Sequence, residues 1–216
     1  MRFMSEEYQN NLIEVARYTN LFSTNKTPLI QSRTAEKLFC KSFEVEDMGR
    51  KDNSFDARQD DLGIGIKTFG MTNKNKREKV AEFVKDAPLL KDLSGINLAR
   101  KLSNLRNKRI TEHREQYNIS KSIYHLVTRT TNKIRVFECA YNLIDIDSLE
   151  MQKDTSRNFW FIDNSTGTEY NFSRSKTTLF QNFKLPDQNQ VVEMDVDHVY
   201  TIDQILSFGK KTLASS

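Results

Sequence analysis

The sequence predicts an α+β fold, and three observations lead to that prediction. Apolar side chains recur at helical spacing from the start of the chain, beginning with Tyr8, Leu12 and Val15. Residues 54–69 have the pattern of a tight β-hairpin, and residues 158–172 form the clearest hairpin pattern of the chain. We therefore expect a fold that begins with helices and becomes richer in strands toward its C-terminal part.

In the first 53 residues we expect two helices and a loop. The apolar spacing described above predicts a helix over residues 5–19, which a polar link ends. A second helix is predicted over residues 35–43, because Thr34 can accept hydrogen bonds from its first free backbone N–H groups. Residues 44–53 are charged and loop-like, and they lead into the first hairpin.

After the first hairpin, two more helices are expected. Asn73 or Asn75 can cap a helix whose apolar stripe contains Val80, Phe83 and Val84. A longer helix is predicted over residues 97–117, with its buried positions at Leu98, Leu102, Leu105 and Ile110. Periodicity does not decide whether residues 123–127 are extended or a short helix.

The remainder is expected to be mainly strands. Residues 133–141 alternate in polarity, which is typical of a half-buried strand. The second hairpin follows, and a short helix is predicted over residues 175–183. We expect either two parts, a core with a basic helical region over residues 1–130 and a β-rich part over residues 131–216, or one continuous domain.

Composition indicates a folded, polar protein. The chain has 216 residues, of which 37% are hydrophobic and 29% are charged, and no apolar run approaches the length of a membrane span. The N-terminal residues lack the apolar stretch of a signal peptide. Cys40 and Cys139 lie far apart without metal-ligand spacing, which favours two reduced thiols in a cytoplasmic protein.

The net charge of +4 hides a strong asymmetry along the chain. Between residues 98 and 135, ten basic residues are opposed only by Glu112 and Glu115. Such a segment favours a polyanion as partner, so we expect a nucleic acid. An acidic stretch over residues 187–203 is expected to lie away from the nucleic acid or to pack on a basic surface. The candidate DNA-contacting residues are Lys74, Lys76, Arg77, Arg106, Lys108, Arg109, Arg174 and Lys176.

The first hairpin places chemistry-bearing residues on one face. If residues 59–62 form the turn, Asp56 lies opposite Gly65, and Lys67 lies one diagonal step away. A carboxylate beside an ammonium and an open glycine can hold a divalent cation and a phosphate. This arrangement suggests phosphodiester hydrolysis, whereas the alternative interpretation is an ordinary cross-strand ion pair.

The order of a Glu-bearing helix, a strand with Asp and a strand ending in Ile66-Lys67 before Thr-Phe resembles the PD-(D/E)xK nuclease superfamily. The type II restriction endonucleases are the most similar group, and the resemblance covers residues 30–85. It implies a central mixed sheet flanked by helices, Mg²⁺ as cofactor and hydrolysis of DNA by an activated water. It also implies Asp56 as the first metal-binding acid and Glu36 as the acid on the preceding helix.

One position departs from the family pattern. The second acid is expected two residues before the lysine, where this chain has Gly65, and glycine cannot ligate a metal. Either Glu36 or Asp61 replaces that acid, with Glu36 favoured, or the site is inactive. The first hypothesis is thus a Mg²⁺-dependent endonuclease, expected as a homodimer, with Asp56, Lys67 and Glu36 as catalytic residues. The second is a non-catalytic nucleic-acid-binding protein with a degraded nuclease core.

Overall fold

The computed structural model describes residues 1–22, 27–49, 53–72, 76–197 and 200–207, and it shows an α+β fold with a central mixed sheet. The chain divides into two compact units. The first unit contains residues 1–72, 122–140 and 185–216, and the second contains residues 73–121 and 141–184. One of the two expected arrangements had a boundary near residue 130. Residue 130 lies at the turn of a hairpin inside the first unit, where the strands on either side of it pair with each other.

The helices of the described residues are α1, α2, α3, α4 and a last short helix, α5. Their bounds are Glu6–Thr19 for α1, Ser32–Phe43 for α2, Ala87–Leu90 for α3, Gly95–Gln116 for α4 and 202–207 for α5. The three helices predicted over residues 5–19, 35–43 and 97–117 are therefore confirmed. Ser5 caps α1 by accepting a hydrogen bond from the backbone N–H of Tyr8.

The strands are numbered β1 to β11 in chain order. Their bounds are Glu46–Asp47 (β1), Ala57–Gln59 (β2), Leu62–Gly70 (β3), Arg77–Glu82 (β4), Lys121–Thr130 (β5), Lys133–Ala140 (β6), Leu149–Asp154 (β7), Asn158–Asp163 (β8), Thr168–Ser173 (β9), Thr178–Asn182 (β10) and Val192–Asp195 (β11). Both predicted hairpins, β2–β3 and β8–β9, are present.

The first unit is built on a six-stranded sheet in the order β1-β2-β3-β5-β6-β11. Its hairpin pairs are antiparallel, but Met71 N donates to Arg129 O where β3 and β5 both end, so these two central strands run in the same direction. Helices α1 and α2 pack on the sheet through Leu12, Ala35 and Phe39, which join Ile64 and the other buried residues of this core. The sheet is mixed, as expected.

The second unit contains a five-stranded antiparallel sheet in the order β4-β10-β9-β8-β7. One face of this sheet forms a core with α4, in which Leu98 and Leu102 pack with Phe159 and Phe172. The apolar stripe predicted for the long helix is therefore what attaches it to the sheet.

Two predicted helices are strands in the structure. The segment with Val80 forms β4, and the segment predicted as a helix over residues 175–183 forms β10. The two strands pair with each other, with Phe180 opposite Lys79. β4 is a strand because it pairs with a segment a hundred residues away, and β10 pairs both with β4 and with β9 directly before it, so strand pairing overrides the helical pattern in both segments. Asn73 and Asn75, the expected caps, lie outside the described residues.

Candidate active site

The β2–β3 hairpin has the register that the sequence predicts. Ala57 pairs with Ile64 and Gln59 with Leu62, so the turn is centred on Asp60 and Asp61. Asp60 has a φ of 52°, a left-handed conformation that Asp tolerates better than most residues. Asp56 lies one residue before the first of these pairs, and its side chain lies beside Ile66 and Lys67 of β3.

Asp56 is held by its main chain and its side chain together. Its backbone N donates to Ile64 O at 2.8 Å, and its Oδ2 accepts from Ile66 N at 2.7 Å. Lys67 Nζ donates to the same Oδ2 at 3.3 Å. The side chains of Asp56 and Lys67 are 20% and 25% exposed, so the pair is partly shielded from water but remains open on one side.

Helix α2 adds Glu36 to this pair. Ala35 and Phe39 are buried against the sheet, and Glu36 follows Ala35 on the helix with only 12% of its side chain exposed. Burial raises the pKa of Glu36, and repulsion from Asp56 raises it further. Attraction to Arg33 and to Lys67 lowers the pKa of the same carboxyl. Glu36, Asp56 and Lys67 therefore lie close enough to influence one another, and we call these three residues the hairpin cluster.

Three neighbours of the cluster were not identified from the sequence. Arg33 Nη1 donates to Glu36 Oε2 at 2.8 Å, and the same guanidinium pairs with the carboxylate of Asp47 on β1. Gly49 leaves room for this network, because a Cβ there would approach Glu36 Oε2 to 2.6 Å. The i,i+3 spacing of Arg33 and Glu36 was a local signal for their pair. Nothing local indicated Asp47, which β1 brings alongside the hairpin.

Asp61 is not part of the cluster, which corrects its assignment as a metal ligand. It occupies the hairpin turn and is exposed. Four residue steps along the strand separate it from Gly65, about 13 Å at the rise of an extended chain. The side chain of Asp56 contacts Ile66 and Lys67, which lie still further along the same strand, so Asp61 is remote from it.

The hairpin cluster offers oxygen ligands, which Mg²⁺ prefers. Within the ranges that the structure describes, no group of three or more His, Cys, Asp or Glu side chains is arranged to hold a metal ion. Mg²⁺ is commonly bound through one or two carboxylates together with water and substrate phosphates. Asp56 and Glu36 fit a site of that kind, in which water and phosphate complete the coordination.

Three of the arginines predicted to contact DNA hold the second unit together instead. Arg106 is 2% exposed, donates to Asn142 O at 3.0 Å and lies over the ring of Tyr141. Arg109 donates to the backbone oxygen of Glu82, and Arg174 donates to those of Leu93 and Thr155. We call Arg106, Arg109 and Arg174 the arginine layer. The assignment of Arg106 to a DNA surface is corrected, because its side chain is buried.

The other predicted DNA-contacting residues lie at the surface where the structure describes them. Lys76, Arg77, Lys108 and Lys176 are exposed, and 74% of the Lys108 side chain is accessible. Lys74 lies outside the described residues. The acidic stretch packs on a basic surface, as one of the two alternatives predicted, because Glu193 on β11 pairs with Lys133 and Arg135 on β6.

A buried polar group in the first unit is structural. His125 is fully buried, and its Nε2 lies 3.1 Å from the hydroxyl of Tyr8. Glu138 lies 3.5 Å from the other ring nitrogen and accepts hydrogen bonds from the backbone N–H groups of Arg2 and Phe3. Burial lowers the pKa of His125, which favours the neutral ring. The group ties the N-terminus to the sheet.

A cavity of about 580 Å³ lies in the second unit. It is lined by residues of α3 and by Phe172, Arg174 and Thr177. None of the hairpin cluster residues contributes to it, so the cavity and the cluster are separate features.

Comparison with protein-family models, with curated proteins and with solved structures finds no match for this chain. The function must therefore be argued from the residues themselves. Among the described helices, none has both the length and the apolar character that crossing a bilayer requires.

Proposed function

We propose that this protein is a Mg²⁺-dependent endonuclease that hydrolyses phosphodiester bonds in double-stranded DNA. The observation that carries the proposal is the hairpin cluster, in which Lys67 contacts Asp56 at a partly open position and Glu36 of α2 lies within electrostatic influence of both. The order of a helix with Glu36, a strand preceded by Asp56 and a strand containing Lys67, within a mixed sheet, agrees with the PD-(D/E)xK resemblance. A restriction system, a cytoplasmic location and a homodimer are parts of the same proposal.

Each member of the cluster has a distinct role in this proposal. Asp56 and Glu36 supply oxygen ligands for the metal from two rigid elements, a hairpin and a helix. When bound, Mg²⁺ offsets charge on the scissile phosphate and lowers the pKa of a coordinated water. Lys67 is held beside Asp56 and presents its ammonium as a point charge with three donors, suited to orienting the water or stabilising the developing negative charge.

Arg33 has to give up its hydrogen bond with Glu36 before Glu36 can bind the metal. In the structure its guanidinium neutralises Glu36 and Asp47 together. A cation between Glu36 and Asp56 would take over part of that neutralisation, and Arg33 would keep its bidentate contact with Asp47. Asp47 therefore acts as the residue that positions Arg33.

Cleavage of a supercoiled plasmid tests the proposal. We expect Mg²⁺-dependent nicking by the wild type, none in EDTA, and a loss of about two orders of magnitude or more in Asp56→Asn and Lys67→Met. Asp61→Asn is the matched control, because it removes a nearby carboxylate that lies outside the cluster. No cleavage by folded wild type, or equal losses in Asp56→Asn and Asp61→Asn, would overturn the proposal.

The pH dependence of cleavage gives a second test. Glu36 must be ionised to bind Mg²⁺, and its pKa is raised by burial and by Asp56. Activity should therefore be present at neutral pH and should fall, as the pH decreases, at a value above the ordinary 4.5 of a glutamic acid. A Glu36→Gln variant should lose this acid limb together with most of its activity.

The second candidate is a non-catalytic nucleic-acid-binding protein. Gly65 stands where the resemblance expects an acid, and Glu36 is already paired with Arg33. This candidate predicts salt-sensitive DNA binding with no cleavage at any Mg²⁺ concentration, so the plasmid assay separates the two.

A further inference from the structure

The sheet of the second unit has one face that is not part of its core with α4. Along β8, Phe159 and Phe161 are buried in that core, while Trp160 alternates to the opposite face and is partly exposed. The strand register continues this opposite face across the whole sheet: Lys153 pairs with Trp160, Trp160 with Asn171, Asn171 with Phe180, and Phe180 with Lys79.

This row places cations beside aromatic rings. Lys153 Nζ lies 5.4 Å from the ring centroid of Trp160, and the guanidinium of Arg77 lies 5.7 Å from that of Phe180. Arg77 also donates to Asn171 Oδ1 at 3.1 Å, which holds its guanidinium beside the ring of Phe180. Lys153, Arg77 and Lys79 are exposed, and Phe180 is partly exposed like Trp160. We call this surface the aromatic row; it consists of Lys153, Trp160, Asn171, Phe180 and Lys79, together with Arg77 beside them.

Acidic residues border the row but do not interrupt it. In the next row along the strands, Glu150 and Glu169 pair with Ile162 from its two sides. Glu150 accepts a hydrogen bond from Asn164, and Glu169 accepts one from Asn182. Glu82 pairs with Lys79 at 2.7 Å at the edge of the sheet. The charged residues paired within the row itself, Lys153 and Lys79, are positive, and Arg77 reaches the row from the neighbouring one, where it pairs with Asn182.

A flat sheet surface with two rings and three cations fits one kind of partner. Rings on alternate strands are about 10 Å apart, so each can take a different base. Bases in a duplex are already stacked on one another, whereas unpaired bases have free faces that aromatic side chains can cover, with basic residues contacting the phosphates.

We propose that the aromatic row binds single-stranded nucleic acid, with Trp160 and Phe180 stacking on bases and Lys153, Arg77 and Lys79 contacting phosphates. This inference does not rest on the proposed nuclease activity, because every residue of the row belongs to the second unit. Trp160 is the only tryptophan in the chain, so the proposed surface carries its own fluorescent reporter.

The test is titration of the intact protein with a short oligo(dT) and a short oligo(U), in EDTA to prevent cleavage and at low salt. We expect quenching of Trp160 fluorescence that saturates and weakens as salt is added. Phe180→Ala and Lys153→Gln should weaken binding, Phe180→Ala by roughly 5- to 100-fold. Lys85→Gln, which removes an exposed lysine of the same unit outside the row and outside the candidate DNA-contacting residues, should bind like the wild type. Tighter binding of one oligonucleotide identifies DNA or RNA as the source of the strand.

Three results would overturn the proposal. The first is no quenching with either oligonucleotide, and the second is binding that Lys153→Gln and Lys85→Gln weaken equally. The third is equal quenching by a duplex of the same length. Lys153→Gln keeps the proposal testable if Phe180→Ala fails to fold, because Lys153 is exposed and lies outside the core.

Discussion

The hairpin cluster of the first unit and the arginine layer of the second hold their charges in contrasting ways. In the cluster, carboxylates meet cations at a partly open position, so part of each charge stays available to a ligand. In the arginine layer, guanidinium groups donate to backbone carbonyls, Arg109 and Arg174 also pair with Asp86 and Asp154, and Arg106 is buried. Donation to backbone carbonyls therefore marks the charges that maintain the fold, whereas the charges of the cluster pair with other side chains.

Removing the buried arginine should have the largest effect on stability. Arg106→Ala removes the contacts with Asn142 and Tyr141 and leaves a cavity, so the free energy of unfolding should fall by about 2–5 kcal/mol. Urea denaturation measures the change. The exposed neighbour Lys108→Ala should stay within about 0.5 kcal/mol of the wild type. Similar losses in the two variants would contradict the structural role of Arg106.

Adding a side chain at Gly63 in the β2–β3 hairpin should have the next largest effect on stability. A Cβ on Gly63 would lie 2.7–2.9 Å from ring atoms of Phe55, so Gly63→Ala should cost about 1–3 kcal/mol. Gly70→Ala is the matched control at the other end of β3, because no described atom lies within 4 Å of the Cβ it would add. Equal unfolding midpoints for the two variants would show that Phe55 does not pack as described.

Neutralising the cluster should change stability less than removing Arg106. Asn can still accept a hydrogen bond from Ile66 N, so Asp56→Asn loses mainly the charge interaction with Lys67. We expect a loss of about 0.5–1.5 kcal/mol in the unfolding free energy, although the same variant should lose cleavage. A loss as large as that of Arg106→Ala would mean that Asp56 is chiefly a structural residue.

Removing a surface ion pair should have the smallest effect on stability. Glu193 bridges Lys133 and Arg135 on partly exposed strands, where water and salt screen the charges. Glu193→Gln should lower the melting temperature slightly at low salt and not at all at about 1 M salt. A large decrease in melting temperature that does not depend on salt would show that the ion pairs of Glu193 stabilise the fold as buried charges do.

Local features of the fold were predictable, and distant pairings were not. The helices α1, α2 and α4 follow from apolar spacing, and the β2–β3 register follows from the length of its turn. Strand β4 pairs with β10, about a hundred residues away, and no short window of sequence contains that pairing. Strand β10 also pairs with its neighbour β9, a local hairpin that the helical pattern of residues 175–183 concealed.

The site shows the same division. The sequence indicated Asp56 and Lys67 because alternation within one hairpin brings them together, and it suggested Glu36 through the resemblance. It missed the pair of Arg33 and Asp47, because β1 brings Asp47 to the helix from a segment that looks like a loop in the sequence. It also could not distinguish Arg106 from Lys108, since composition does not show which cation will find a backbone carbonyl.

The most direct test of the account is binding of Mn²⁺, measured by electron paramagnetic resonance with Mg²⁺ as competitor. We predict one site in the wild type, weakened about tenfold or more by Asp56→Asn and by Glu36→Gln and unchanged by Asp61→Asn. Absence of that site in the folded wild type, or binding that survives both cluster substitutions, would contradict the claim that the hairpin cluster holds a divalent cation.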